Sequence, residues 1–130
     1  MMYSVTYTDA NEFERFEVNI KRRGSAAIIE MRGRSSSANI DRLDSELKQI
    51  QSERIEWKIL DLSQSRLINS RQIGIILQHF QERRSEENGG FAIVNPTDRV
   101  RHLLTMTKVA GLIPIFDSVD DAMQAFGLPE

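Results

Sequence analysis

One serine in this chain lies in a sequence context that suggests chemistry on its hydroxyl group. Ser70 follows Asn69, a residue type that favours the N-cap position of a helix, and Gln72 lies three positions after Asn69, where a capping-box partner belongs. If Asn69 caps a helix, Ser70 is the first helical residue, and its hydroxyl points outward at the positive end of the helix dipole. Ser70 is therefore the candidate functional residue.

Other residue types that support catalysis or metal binding are scarce. The chain of 130 residues has no cysteine, and its two histidines, His79 and His102, lie far apart and outside any metal-ligand spacing. The sequence contains neither a grouped nucleophile, base and acid nor a Gly-x-x-x-x-Gly-Lys-Ser/Thr loop that would bind phosphates. We therefore expect a protein that is not an enzyme and that uses no cofactor or metal.

Charge and hydropathy give no reason to expect nucleic-acid or membrane binding. The formal net charge is −2, so no basic surface is indicated. No apolar run approaches the ~20 residues that span a bilayer, and the first ten residues lack the apolar core of a signal peptide. We expect a cytoplasmic protein that binds no nucleic acid and does not insert into a membrane.

The segment from Trp57 to Leu77 contains the elements that must position Ser70. It begins with an apolar run typical of a strand that is buried on both faces, and a polar turn over residues 63–66 follows. A helix then starts at Ser70, and we expect it to end near Glu87. Its buried face is predicted from apolar residues spaced i, i+3, i+4 and i+7, which are Ile73, Ile76, Leu77 and Phe80.

The remaining patterns place an α/β domain around this segment. Residues 16–20 alternate between apolar and polar types and, together with residues 26–32, predict a hairpin. A polar loop at residues 33–39 follows, and helices and strands then alternate. The predicted order is ββαβαβαβα, with a mostly parallel or mixed central sheet, an N-terminal β-hairpin and helices packed against the sheet. We predict one domain over residues 15–130, preceded by a variable N-terminal leader at residues 1–14.

This element order and the central motif resemble the STAS domain, the family of anti-sigma-factor antagonists. The family pattern is an apolar strand, a short loop and Asp-Ser-Ser/Thr-Gly-Leu/Ile-Gly at the start of a helix. The chain departs from that pattern at three positions: Asn69 stands where the family has Asp, Arg71 where it has Ser or Thr, and Gln72 where it has Gly. The matching residues are Asn69, Ser70, Arg71, Gln72, Ile73 and Gly74.

The resemblance implies a phosphorylation switch. In such proteins an anti-sigma factor with a histidine-kinase-like ATPase fold phosphorylates the serine, a serine phosphatase removes the phosphate, and the unphosphorylated form binds the anti-sigma factor. Carried over by position, Ser70 is the phosphorylated residue, and residues 69–74 bind the partner. The polar loop contributes either a second part of this surface or only a flexible connection, through Ser35, Ser36 and Ser37.

The three departures also suit an alternative without phosphorylation. Related domains serve as assembly scaffolds, or as accessory subunits of membrane transport complexes in which an ATPase holds them. Asn69 keeps the capping role but lacks a carboxylate beside the hydroxyl, and Gln72 adds bulk where the family has glycine. Both interpretations describe a binding module.

Overall fold

The structure is a computed structural model that describes residues 2–7, 16–34, 40–52, 55–84 and 89–128. Within these residues the chain forms one sheet and four α-helices. The strands are β1 (Met2–Tyr7), β2 (Phe16–Arg23), β3 (Ala26–Arg34), β4 (Trp57–Asp61), β5 (Ser65–Leu67), β6 (Gly90–Val94) and β7 (Ile115–Phe116). The helices are α1 (Ile40–Ser52), α2 (Ser70–Arg84), α3 (Asp98–Met106) and α4 (Val119–Ala125), with a 3-10 helix at Val109–Gly111.

The strands form a mixed sheet in the order β1-β2-β3-β4-β6-β7, and β5 pairs with β3 beyond the end of β4. β2 is antiparallel to both of its neighbours, β1 and β3. All the other described pairs are parallel. The predicted architecture, an N-terminal hairpin joined to a mostly parallel sheet with helices, is therefore confirmed.

The sheet has a hydrophobic core on each face, and β4 contributes to both. Leu60 belongs to the larger core, together with buried residues of α1, α2 and α3. Ile59 points to the opposite face, where Ala122 and Met123 of α4 cover it. A central parallel strand loses water on both sides, which explains its continuous apolar run. The prediction that this strand is buried on both faces is confirmed.

The N-terminal residues contain a strand that the predicted order lacks. The sequence predicts a variable leader at residues 1–14, whereas residues 2–7 form β1 and pair with β2 over the full length of β1. The signal is visible but short, because Tyr3, Val5 and Tyr7 alternate with polar residues. An edge strand needs only one partner, so its identity depends on pairing with β2 more than on its own composition.

Candidate functional site

Ser70 is the first residue of α2 and is exposed. The Asn69 side-chain Oδ1 accepts a hydrogen bond from the backbone N–H of Gln72 at 2.7 Å. The Asn69 backbone carbonyl accepts the N–H of Ile73 at 3.1 Å. Asn69 is therefore the N-cap that the sequence predicts, and the Ser70 hydroxyl lies where the unpaired N–H groups of the helix create a positive potential.

The chain reaches Ser70 through a short strand and not through a turn alone. The sequence predicts a polar turn over residues 63–66, but Ser65 already belongs to β5 and is paired in register with Gly33 of β3. The Ser65 hydroxyl is buried and donates a hydrogen bond to the Met31 carbonyl at 2.7 Å. The end of β3 extends past β4 and supplies this pairing, so the second half of the predicted turn becomes strand. This pairing anchors the segment immediately before α2.

Two of the six predicted partner-contact residues face the core. Gln72 is 1% exposed and Ile73 is 8% exposed, and the Gln72 side-chain Nε2 donates to Met31 Sδ at 3.5 Å. This corrects the prediction that all six side chains belong to a contact surface. At 3.6 residues per turn, positions 72, 73 and 76 share the side of α2 that packs on the sheet. The exposed positions of the first turns are Ser70, Arg71 and Gly74.

Arg71 extends from the start of α2 to the start of α1. Its Nη2 pairs with Oδ1 of Asp41, which lies in the first turn of α1. Both side chains are largely exposed, at 62% and 68%. The N-terminal ends of the two helices therefore form one charged surface beside Ser70. Sequence reasoning missed Asp41, because nothing local relates it to a residue 30 positions later.

A buried contact holds α1 and α2 together behind this surface. His79 is buried, and its Nε2 lies 3.0 Å from Asp44 Oδ1, while Lys48 Nζ lies 3.1 Å from Asp44 Oδ2. Burial raises the pKa of the Asp44 carboxyl, but the hydrogen bonds from His79 and Lys48 outweigh this effect, and the pKa lies below its ordinary value. His79 thus orients α2 relative to α1.

The polar loop of the predicted surface is only partly described. Ser35, Ser36 and Ser37 lie outside the described residues, so their prediction stays open. The described chain leaves β3 at Arg34 and enters α1 at Ile40, at the end of the sheet where β5 leads into Ser70. Among the described residues, no three His, Asp or Glu side chains are grouped as a metal site would require. No helix in the described ranges combines the length and apolar character needed to cross a membrane.

Comparison of the fold with solved structures gives several matches that cover most of both chains. An anti-sigma factor antagonist from Mycobacterium paratuberculosis superposes with a TM-score of 0.80 and 14% identity over 93% of this chain and 99% of that chain. The anti-sigma factor antagonist SpoIIAA in its unphosphorylated form gives 0.73 and 11%, over 87% and 99%. The Bacillus cell fate determinant SpoIIAA in the phosphorylated form gives 0.66 and 13%, over 83% and 97%. At these identities the matches establish a common fold.

Sequence comparison gives the family itself. A search of curated proteins found no match. The family model of the STAS domain, by contrast, matches residues 17–122, which include β2 to the start of α4 and the whole region around Ser70. STAS domains are regulatory and not enzymatic, in agreement with the residue types around Ser70. The chain belongs to the STAS domain family.

Proposed function

We propose that this protein is an anti-sigma-factor antagonist whose binding surface surrounds Ser70 and whose binding is switched off by phosphorylation of Ser70. The observation that carries the proposal is an exposed serine at the first position of α2, where the STAS pattern has its phosphorylated serine. Similar solved structures include anti-sigma factor antagonists, and one of them, SpoIIAA, is described in a phosphorylated form. Its partners are an anti-sigma factor with a histidine-kinase-like ATPase fold and a serine phosphatase, and we place it in the cytoplasm.

The proposed contact surface is formed by exposed groups on a rigid base. Ser70 and Arg71 present side chains to solvent, and a Cβ on Gly74 would have no described atom within 4 Å beyond its chain neighbours and the adjacent backbone of α2. A partner backbone can therefore approach the helix closely at Gly74. The buried Gln72 and Ile73 contribute by holding this turn of the helix against the sheet. We include Ser35, Ser36 and Ser37, which lie outside the described residues, among the proposed partner-contact residues on the basis of the sequence alone.

A phosphate on Ser70 affects the free protein and the complex in opposite ways. Near the N-terminus of α2 the negative charge is favourable by about 0.3–1 kcal/mol. Within a fitted interface the same charge must lose water, which costs several kcal/mol unless the partner neutralises it. Since each ~1.4 kcal/mol changes affinity tenfold, the interface term dominates. Phosphorylation should release the partner and leave the domain folded.

Paired substitutions test the proposal. Affinity capture from native cells with Ser70→Ala should retain a kinase of the anti-sigma type, and Ser70→Glu should retain it about 100-fold less, as a loss of several kcal/mol requires. Ser25→Glu is the matched control, because Ser25 is exposed in the turn between β2 and β3, at the opposite end of the sheet. Intact-mass measurement of the native protein should find one phosphate, located on Ser70.

The outcomes separate the proposal from its alternative. Equal capture by Ser70→Ala and Ser70→Glu would show that a negative charge at position 70 does not control binding. Capture of a transporter ATPase by both variants, with no phosphate on the native protein, would support the accessory-subunit or scaffold alternative.

A further inference from the structure

The ion pair between Arg71 and Asp41 is positioned to respond to a phosphate on Ser70. Ser70 and Arg71 are consecutive, so their Cα atoms lie about 3.8 Å apart. The Arg71 side chain reaches across to α1 in the unmodified protein. Because the Arg71 side chain is long and largely exposed, we expect a rotation of that side chain alone to bring its guanidinium to the neighbouring Ser70 side chain.

A phosphate on Ser70 is the stronger partner for this guanidinium. It carries about −1.5 to −2 charges and three acceptor oxygens, and guanidinium groups bind phosphate in a bidentate geometry. The Asp41 carboxylate carries one charge, and an ion pair exposed to this degree contributes little because water and salt screen it. Little free energy therefore opposes the movement of the Arg71 guanidinium from Asp41 to a phosphate on Ser70.

We infer that phosphorylation of Ser70 transfers Arg71 from Asp41 to the phosphate, so that a modification on α2 also changes the exposed charge of α1. Arg71 neutralises part of the phosphate charge, and the Asp41 carboxylate is released from its counter-ion. The first turn of α1 tolerates the released carboxylate, because a negative charge at a helix N-terminus is favourable. A partner that covers both helix ends meets a changed charge on each.

The exchange can be measured without a kinase or a binding partner. Phosphoserine is installed at position 70 of the full chain during translation, and the second ionisation of the phosphate is followed by 31P NMR between pH 4 and pH 8. Its midpoint lies near pH ~6 in the absence of neighbours. Arg71→Gln should raise the midpoint by about half a pH unit, the size expected for one exposed ion pair. Asp41→Asn should lower it, because the Asp41 carboxylate then no longer competes with the phosphate for Arg71.

Two further variants make the test decisive. Asp41→Asn should have a much smaller effect in the Arg71→Gln background, since the exchange acts through Arg71. Arg22→Gln removes the same charge from an exposed arginine at the opposite end of the sheet and should leave the midpoint unchanged. An unchanged midpoint in Arg71→Gln, or an equal effect of Asp41→Asn in both backgrounds, overturns the exchange.

Failure of this test can be distinguished from failure of the proposed function on which the inference rests. The installed phosphate reports the contact between Arg71 and Ser70 whether or not cells phosphorylate the protein. Conversely, Ser70 can act as a switch in the capture experiment even if Arg71 stays with Asp41.

Discussion

Removal of the Asn69 side-chain cap should destabilise the domain measurably. In Asn69→Ala the Gln72 N–H loses the acceptor that lies 2.7 Å away. Loss of an N-cap side chain typically costs about 0.5–2 kcal/mol. Gln72 is buried, so water replaces the missing acceptor poorly and we expect the upper part of this range, about 1–2 kcal/mol. Asn69→Asp keeps the acceptor and adds a charge that the helix dipole favours, so its free energy of unfolding should equal or exceed that of the parent protein by about 0.3–1 kcal/mol.

Urea unfolding followed by tryptophan fluorescence measures these differences. Trp57 is the single tryptophan, and its ring packs 4.6 Å from that of Phe126, so its emission reports loss of the core. With a slope of about 2 kcal/mol/M, a loss of about 1–2 kcal/mol should lower the midpoint of Asn69→Ala by about 0.5–1 M. Ser118→Ala is a matched control, because the Ser118 hydroxyl caps α4 by accepting the Asp121 N–H at 3.0 Å. If Asn69→Ala unfolds with the parent protein while Ser118→Ala unfolds earlier, the Asn69 cap does not stabilise α2.

Three further substitutions test an ion pair behind the site and the space around two glycines. The folded pKa of Asp44 lies below its ordinary value, so its stabilising effect is present above about pH 4 and is lost as the pH falls through the folded pKa. Asp44→Asn should therefore lower the urea midpoint at pH 7, because it weakens the contact with His79. It should also reduce the fall of the urea midpoint between about pH 5 and lower pH. An unchanged fall would show that protonation of Asp44 does not cause the loss of stability in acid. Gly90→Ala should lose about 1–3 kcal/mol, because the new Cβ would lie 2.8 Å from the Trp57 ring. In Gly74→Ala the new Cβ would meet no described atom within 4 Å beyond the adjacent part of α2, so the variant should gain about 0.5–1 kcal/mol from helix propensity. Thermal unfolding compares Gly90→Ala with Gly74→Ala. Equal melting temperatures would contradict the expectation that only the Cβ on residue 90 is crowded.

The sequence correctly predicts the features of the site that depend only on residues close together in the chain. The cap at Asn69 and the start of α2 at Ser70 follow from side-chain chemistry within three positions. The helical period predicts that Ile73 faces the sheet, and the adjacent Gln72 lies on the same side, whereas the motif predicts a continuous contact segment. Burial of a glutamine is rare enough that composition alone favours an exposed position, and the contact with Met31 explains the exception.

Other features required residues that are distant in sequence. β5 has only three residues, and the alternation in the six-residue β1 is a weak signal by itself. Each is a strand because β2 or β3 offers it hydrogen-bonding groups. The pairing of Arg71 with Asp41 likewise arises only when α1 and α2 pack side by side.

The sequence by itself therefore determined the order of the main elements, the STAS family and the serine at the head of α2, because each rests on local periodicity, capping or a contiguous motif. Only the tertiary structure decided which side chains around that serine reach solvent and which charge stands opposite Arg71. Exposure and ion pairing depend on how two helices lie on one sheet, and that arrangement is set by the packing of the whole core.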